Sequence, residues 1–219
     1  MSSSQRQAVF RPEVYEVNTL EQAMAVTVTP EQGTTTEERW KKETDFLVED
    51  IGRQLELGPE DCVLDYGCGA GRLAKAMIDG YGCRVIGVDS SKSMRLLSPD
   101  YVLSDRFTVW SPQLLGKMTE KGFRFSKGIC LWVLQHVFSP EDTIGLIANA
   151  YIPGTKFYVL NQDGRCIPTN LGYVNDGKDI RAELVKQFRE LERRRLPQEV
   201  TTPNIAQHTN LFVLERLGN

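Results

Sequence analysis

The chain has 219 residues, enough for one full-sized α/β domain with little left for a second. A 41% hydrophobic and 25% charged composition is that of a soluble globular protein, and a net charge of −3 leaves no electrostatic footprint for nucleic acid or an anionic membrane. Five widely spaced cysteines (Cys62, Cys68, Cys83, Cys130, Cys166) form no CxxC or Cys/His cluster, so reduced thiols, a cytoplasmic setting and no metal site are expected. No apolar run approaches membrane-spanning length, and the Met1-Ser2-Ser3-Ser4-Gln5 start does not have the pattern of a signal peptide.

Residues 1–35 lack a sustained period and are rich in Gln, Thr, Glu and Ser. They read as an extension, either a lid or a partly disordered tail, in which Val9, Phe10, Val14, Tyr15 and Val17 form a short element against the main body. The main domain then occupies residues 36–219. Thr35 and Glu38 stand at capping-box spacing, and Trp40, Thr44, Leu47, Ile51 and Leu55 recur at helical spacing, so a helix ends before Gly58-Pro59.

Strands and helices alternate from there. Cys62 to Asp65, Arg84 to Asp89, Arg106 to Trp110, Gly128 to Leu134 and Lys156 to Leu160 read as five apolar strands. Helices follow the first four, through Leu73, Ala76 and Met77, then over Ser91 to Leu97, Pro112 to Lys121 and Glu141 to Tyr151. Continuous apolar strands alternating with helices mean a parallel sheet covered on both faces. Near the end, Ile180 to Phe188 is helical in pattern, Leu191 to Leu196 is an edge strand with solvated arginines, and Asn210 to Leu217 is a last strand. The expected fold is a Rossmann-like, doubly wound, mostly parallel seven-stranded sheet whose last strand is antiparallel.

Between the first strand and its helix lies Asp65-Tyr66-Gly67-Cys68-Gly69-Ala70-Gly71, where glycines let the backbone turn and approach a ligand. Asp89 ends the next strand, where a carboxylate accepts hydrogen bonds from ribose hydroxyls. A dinucleotide loop prefers a small residue where Arg72 stands, and Asp65 would repel a pyrophosphate but suits an aminoacyl ammonium. The loop therefore favours S-adenosylmethionine over NAD(P). An NAD(P)-dependent oxidoreductase and a non-catalytic S-adenosylmethionine-binding module are the rival readings.

Val63 to Gly71 resembles motif I of the class I S-adenosylmethionine-dependent methyltransferases. Gly87-Val88-Asp89-Ser90-Ser91-Lys92-Ser93-Met94 is similar to their GxDxSxxM signature, and Leu131 to Val137 resembles the segment after strand four in small-molecule branches. The resemblance implies that Asp65, Gly67, Cys68 and Gly69 surround the methionyl part, Asp89 holds the ribose, and Ser90 and Met94 border the adenine. It places Trp110 and Ser111 in the stretch completing the adenine pocket, with Leu131 and Trp132 under the sulfonium. Arg39, Trp40 and Arg72 are candidates for covering the methionyl end, core packing being the stronger reading for Trp40 from its place in the apolar stripe.

Methyl transfer can rest on positioning two reactants in a dry site, with a base needed only where the acceptor must lose a proton. His136, just past strand four, is the candidate base or acceptor-positioning group, set against a role in packing the next helix; Gln135 is a candidate acceptor contact. The long polar segment after strand five predicts an acceptor pocket with Asn161, Arg165 and Tyr173 as contacts. His208 reads as incidental. The Asn/Asp-Pro-Pro-aromatic pattern of base-modifying relatives is missing after strand four, where Leu134-Gln135-His136-Val137 stands. The expected reaction is thus methylation of an O or N of a small-molecule acceptor, with S-adenosylhomocysteine as product.

Overall fold

The computed structural model describes residues 7–31 and 33–218; the Met1–Gln5 start, Gln32 and Asn219 lie outside the described residues. A 3-10 turn (Pro12–Tyr15) and helix α1 (Leu20–Thr27) precede α2 (Thr36–Leu55), β1 (Cys62–Tyr66), α3 (Arg72–Tyr81), β2 (Arg84–Val88), α4 (Lys92–Val102) and β3 (Phe107–Trp110). Then come α5 (Pro112–Glu120), β4 (Phe125–Leu131), α6 (Pro140–Asn149), β5 (Tyr151–Gln162), β6 (Ile167–Thr169) and β7 (Gly172–Val174). The chain ends with α7 (Ile180–Leu184), β8 (Phe188–Arg195), α8 (Pro203–His208) and β9 (Thr209–Arg216).

Seven strands form one sheet in the order β3-β2-β1-β4-β5-β9-β8, and β6 and β7 make a separate hairpin. Strands β1 to β5 run parallel, while β9 lies antiparallel between β5 and β8. The doubly wound, mostly parallel sheet read from the sequence is thus the fold. One apolar cluster joins α2 and α3 to one face through Leu47, Ile51, Leu73, Met77 and Tyr158. A second, through Leu115, Ile144, Phe157, Leu184 and Phe188, covers the other face. The strand order reverses between β1 and β4, which opens a crevice at their carboxyl ends, where open α/β sheets bind ligands.

Local chemistry sets the element ends. Thr35 Oγ1 accepts from Glu38 N–H at 3.2 Å while Glu38 Oε2 accepts from Thr35 N–H at 2.9 Å, closing the expected capping box on α2. Strand β5 begins earlier than its apolar run, at Tyr151, because an irregularity opposite Phe125 and Lys127 accommodates Pro153-Gly154. The arginine-rich segment is the edge strand β8, with Arg194 on Asp50 and Glu192, and Arg195 on Asp163.

The extension is built onto the domain. Thr19 caps α1 by accepting from Gln22 N–H, and Val17 and Ala23 pack against Ala70 and Met94. Phe10 bridges to Thr169, and Arg11 N–H donates to the Pro168 carbonyl at 2.9 Å, so the segment runs beside the β6–β7 hairpin. Its other end is pinned by Glu16, whose two oxygens accept from the N–H groups of Lys92 and Ser93 at the start of α4, both at 2.9 Å.

Candidate active site

The loop between β1 and α3 turns through three glycines with positive φ, Gly67 at 81°, Gly69 at 52° and Gly71 at 88°. At Gly71 a Cβ would also meet Val102 Cγ2 at 2.5 Å, so only glycine lets α3 start against α4. The Gly67 and Cys68 amides both donate to the Val88 carbonyl, at 2.6 and 3.1 Å. Gly69 N–H donates to Asp89 Oδ2 at 2.9 Å, and Ser91 N–H to Asp89 Oδ1 at 2.8 Å. The Cys68 thiol is buried against the bare Cα of Gly87, where a Cβ would lie 2.7 Å from its Sγ. Burial, and then the charge of Asp89, hold that thiol well above its usual pKa, so it is an inert packing group.

A cavity of about 490 Å³ opens at this edge. Gly67, Gly69, Asp89, Ser90 and Met94 line one part; Leu131, Trp132, Val133 and His136 line another; Phe10, Tyr15, Val26 and Thr27 of the extension close over it. Trp132 is left-handed at φ 61°, a conformation that costs a non-glycine residue energy and that gathers at functional sites. Its N–H donates to the Leu160 carbonyl at 2.8 Å, which holds the kink at the exit of β4.

His136 is fixed by its surroundings. Its Nδ1 lies 2.7 Å from the Cys166 carbonyl, an acceptor only, so Nδ1 carries the proton and Nε2 keeps a lone pair. Burial lowers its pKa, against the hydrogen bond to Cys166 and aided by Arg165, which keeps the ring neutral near pH 7. Gln135 and Arg165 build this arrangement from behind. Gln135 is buried, its carbonyl accepts from Cys166 N–H at 2.8 Å, and its Oε1 accepts from Gln162 N–H at 3.3 Å. The buried Arg165 guanidinium donates to the Leu134 carbonyl at 2.7 Å and the Phe138 carbonyl at 3.3 Å, and pairs with Asp176 at 3.1 Å.

Beneath the loop lies a charged network. Arg39 pairs with Glu43 at 2.7 Å and donates to the Thr29 carbonyl; Arg72 stands 3.9 Å from Glu43, with its guanidinium 5.1 Å from the Trp40 ring centroid. Trp40 Nε1 donates to the Tyr101 hydroxyl at 3.2 Å. Asp65 Oδ2 and Arg72 Nη1 are buried without a hydrogen-bond partner. Burial first, and then repulsion from Asp89, push the Asp65 carboxyl up to about 7.

The other sequence candidates stand apart from the cavity lining. Trp110 packs on Phe123 and Phe125, and Ser111 caps α5 by accepting from Leu114 N–H. Asn161 lines a separate polar cavity of about 360 Å³ beside β8 and β9. Tyr173 is exposed on the hairpin with its ring 6.3 Å from His136. His208 ends α8, 3.8 Å from Asp163. Sequence reasoning missed Val133, Val137, Phe138, Ser139, Asp142 and Thr143 as lining residues; the aromatic residues Phe10 and Tyr15 were the one signal from the extension.

A glycine loop closed on the carboxylate that follows the next strand, at the reversal of an open parallel sheet and facing a neutral histidine, stands where sheets of this Rossmann-like class bind ligands. The family profile described as a methyltransferase domain matches residues 34–219, and the chain belongs to that family. That decides between methyl transfer and the nicotinamide rival. No curated protein matches the sequence. Among solved structures the chain is similar to geranyl diphosphate C-methyltransferase from Streptomyces coelicolor A3(2), at 13% identity and TM-score 0.60, covering 79% of this chain and 76% of that one. It is similar to PH0226 protein from Pyrococcus horikoshii OT3, at 17% identity and TM-score 0.59, covering 81% and 91%. It is also similar to the [4+2]-cyclase SpnF, at 14% identity and TM-score 0.60, covering 80% and 81%. At such identities the likeness is one of fold. Among the described residues no helix is long and apolar enough to cross a membrane.

Proposed function

We propose that this methyltransferase uses S-adenosylmethionine to methylate a nitrogen or oxygen of a small-molecule acceptor. The observation that carries this reading is the single cavity joining the glycine loop, Asp89 and Met94 to His136. The residues fit the cofactor. Asp65 Oδ2, a buried acceptor, and Arg72 Nη1, a buried cationic donor 3.9 Å from Glu43, make no hydrogen bond and complement the ammonium and carboxylate of a methionyl group. Arg72 is held by Glu43, which also pairs with Arg39, and by the Trp40 ring. Asp89 would accept from the ribose hydroxyls, Ser90 and Met94 would border the adenine, and Leu131 and Trp132 would lie under the sulfonium. When bound, S-adenosylmethionine supplies an electrophilic methyl group. The five unpaired cysteines agree with a reducing, cytoplasmic setting.

His136 Nε2 takes the proton of the acceptor, Gln135 and Arg165 hold the imidazole in place, and the extension acts as a lid that excludes water. The test is a screen of small-molecule acceptors that reads S-adenosylhomocysteine release, repeated with His136→Asn. Turnover should fall by roughly 10²-fold with S-adenosylhomocysteine affinity unchanged. A chain that S-adenosylhomocysteine does not stabilise thermally, or a variant with full turnover, would sink the reading. In the same assay, a chain lacking residues 1–17 should release product faster.

The raised Asp65 carboxyl gives a pH dependence of known sign. In the ligand-free protein it is protonated below about 7, whereas an ammonium requires the carboxylate. Affinity for S-adenosylhomocysteine should therefore rise with pH up to about 7, by as much as roughly tenfold per unit, and level off above it. Ligand-free stability runs the other way. The folded pKa lies above the unfolded one of roughly 4, so the folded state binds the extra proton and Asp65's contribution to stability falls as pH rises from about 4 to 7. Calorimetry across this range should show the affinity slope, and Asp65→Asn should remove this residue's share; a slope identical in the two proteins would refute the assignment.

A further inference from the structure

The part of the cavity away from the glycine loop is aromatic and carries a carboxylate. Phe10 and Phe138 have ring centroids 5.6 Å apart, Tyr15 and His136 5.7 Å, and His136 and Tyr173 6.3 Å. Phe10, Tyr15, His136 and Phe138 line the cavity, and Tyr173 stands behind His136. Asp142, in the first turn of α6, lines the same space; its Oδ2 accepts from Ser139 Oγ at 2.7 Å. Among the described residues neither lysine nor arginine lines this cavity. The Tyr15 hydroxyl is buried with the Tyr173 side chain near it, and it can serve a polar group on the ligand.

Aromatic walls together with a carboxylate recognise an ammonium by cation–π attraction and charge. The same walls repel a carboxylate or phosphate, which would lose its hydration and meet only Asp142 and Asp89. On this basis, and resting on the methyl-transfer reading above, we infer that the acceptor is an apolar amine whose ammonium is held between the aromatic walls and Asp142. His136 Nε2 then takes one proton from it. The N–H bond breaks, its electron pair stays on the amine nitrogen as the lone pair that methylation needs, and the imidazolium passes the proton to water. The Nδ1–H bond to Cys166 leaves Nε2 free to do this. Phe138 and Asp142 are both exposed at the rim, which suits an ammonium arriving from solvent.

The experiment compares three probes of one shape on the full chain saturated with S-adenosylhomocysteine: 2-phenylethylamine, 2-phenylethanol and 3-phenylpropanoate. Calorimetry should show the amine binding roughly fivefold or more tighter than the alcohol, with the acid weakest. Asp142→Asn should abolish the amine's advantage while leaving the alcohol's affinity and the S-adenosylhomocysteine affinity as they were. Turnover with S-adenosylmethionine should then follow the same order. An alcohol or acid that binds as well as the amine, an amine that does not bind, or an unchanged preference in Asp142→Asn would overturn the inference. The two readings fail differently: no S-adenosylhomocysteine binding removes the cofactor site and the amine proposal with it, whereas retained binding without amine preference removes only the latter.

Discussion

Glu43→Ala should destabilise the protein by about 3–5 kcal/mol, measured as a shift in the urea midpoint at constant slope. Glu43 is 1% exposed and receives Arg39 through both Nε and Nη2, at 3.0 and 2.7 Å. Arg72 stands 3.9 Å away, and Thr201 Oγ1 donates to the same carboxylate at 2.8 Å. Removing the carboxylate leaves two guanidinium groups, with side chains 7% and 5% exposed, without the counter-charge they share, Arg72 keeping only the weaker attraction of Asp65. Breaking a buried ion pair from one side is costly for this reason, even where the intact pair adds little net stability. Glu43→Gln keeps the shape and one acceptor, so it should cost less than Glu43→Ala. Pairing Glu43→Ala with Arg39→Ala should recover part of the loss, because the double variant strands one cation instead of two. A Glu43→Ala loss below about 1 kcal/mol would show that water reaches these cations, contrary to the burial argued for them. Since Arg72 opens the helix after the glycine loop, S-adenosylhomocysteine affinity should fall in the same variant.

The same location explains what the sequence made legible. Glycines at Gly67, Gly69 and Gly71 answer a backbone demand that is local, a sharp turn between a strand and a helix, and Asp89 directly follows the adjacent strand. Contiguous demands leave contiguous signals, so the glycine loop and the parallel core were readable. The proposed acceptor half is assembled from residues 10–15, 131–143 and 166–173, segments that meet only after the sheet has formed. No period or spacing encodes that meeting. Arg165 shows the difficulty: a polar residue in a polar loop reads as a ligand contact, yet its guanidinium is buried and spans Leu134, Phe138 and Asp176 as scaffold. Helix α1 went unread because it is short and only Ala23 among its residues is buried; the Thr19 cap and contact with Met94 stabilise it more than any apolar stripe. The left-handed backbone of Trp132 carries no residue-type signal at all, since a tryptophan is among the last residues that conformation would suggest.

Asp89→Ala should weaken S-adenosylhomocysteine binding by about 1–3 kcal/mol, roughly 5- to 150-fold, and lower the melting temperature of the ligand-free chain as well. The two losses share one cause. Asp89 accepts from Gly69 N–H at 2.9 Å and from Ser91 N–H at 2.8 Å, so its carboxylate ties the glycine loop to the start of α4. Burial raises its pKa, while those two amides pull it back down, so the backbone bonds help keep the group ionised in a site that resists charge. The ribose hydroxyls proposed for this carboxylate approach the same two oxygens, each of which has lone pairs to spare after one amide bond. Alanine removes the ribose contact and strands both amides at once. Asp89→Asn separates the effects: its single carbonyl oxygen can keep one amide, but its NH₂ faces the other, so loop order should be partly retained while ribose recognition is lost. A melting temperature near that of the parent with binding still reduced would assign the carboxylate's charge to the cofactor. Equal losses in both variants would assign it to the loop, and unchanged binding in either would remove Asp89 from the site.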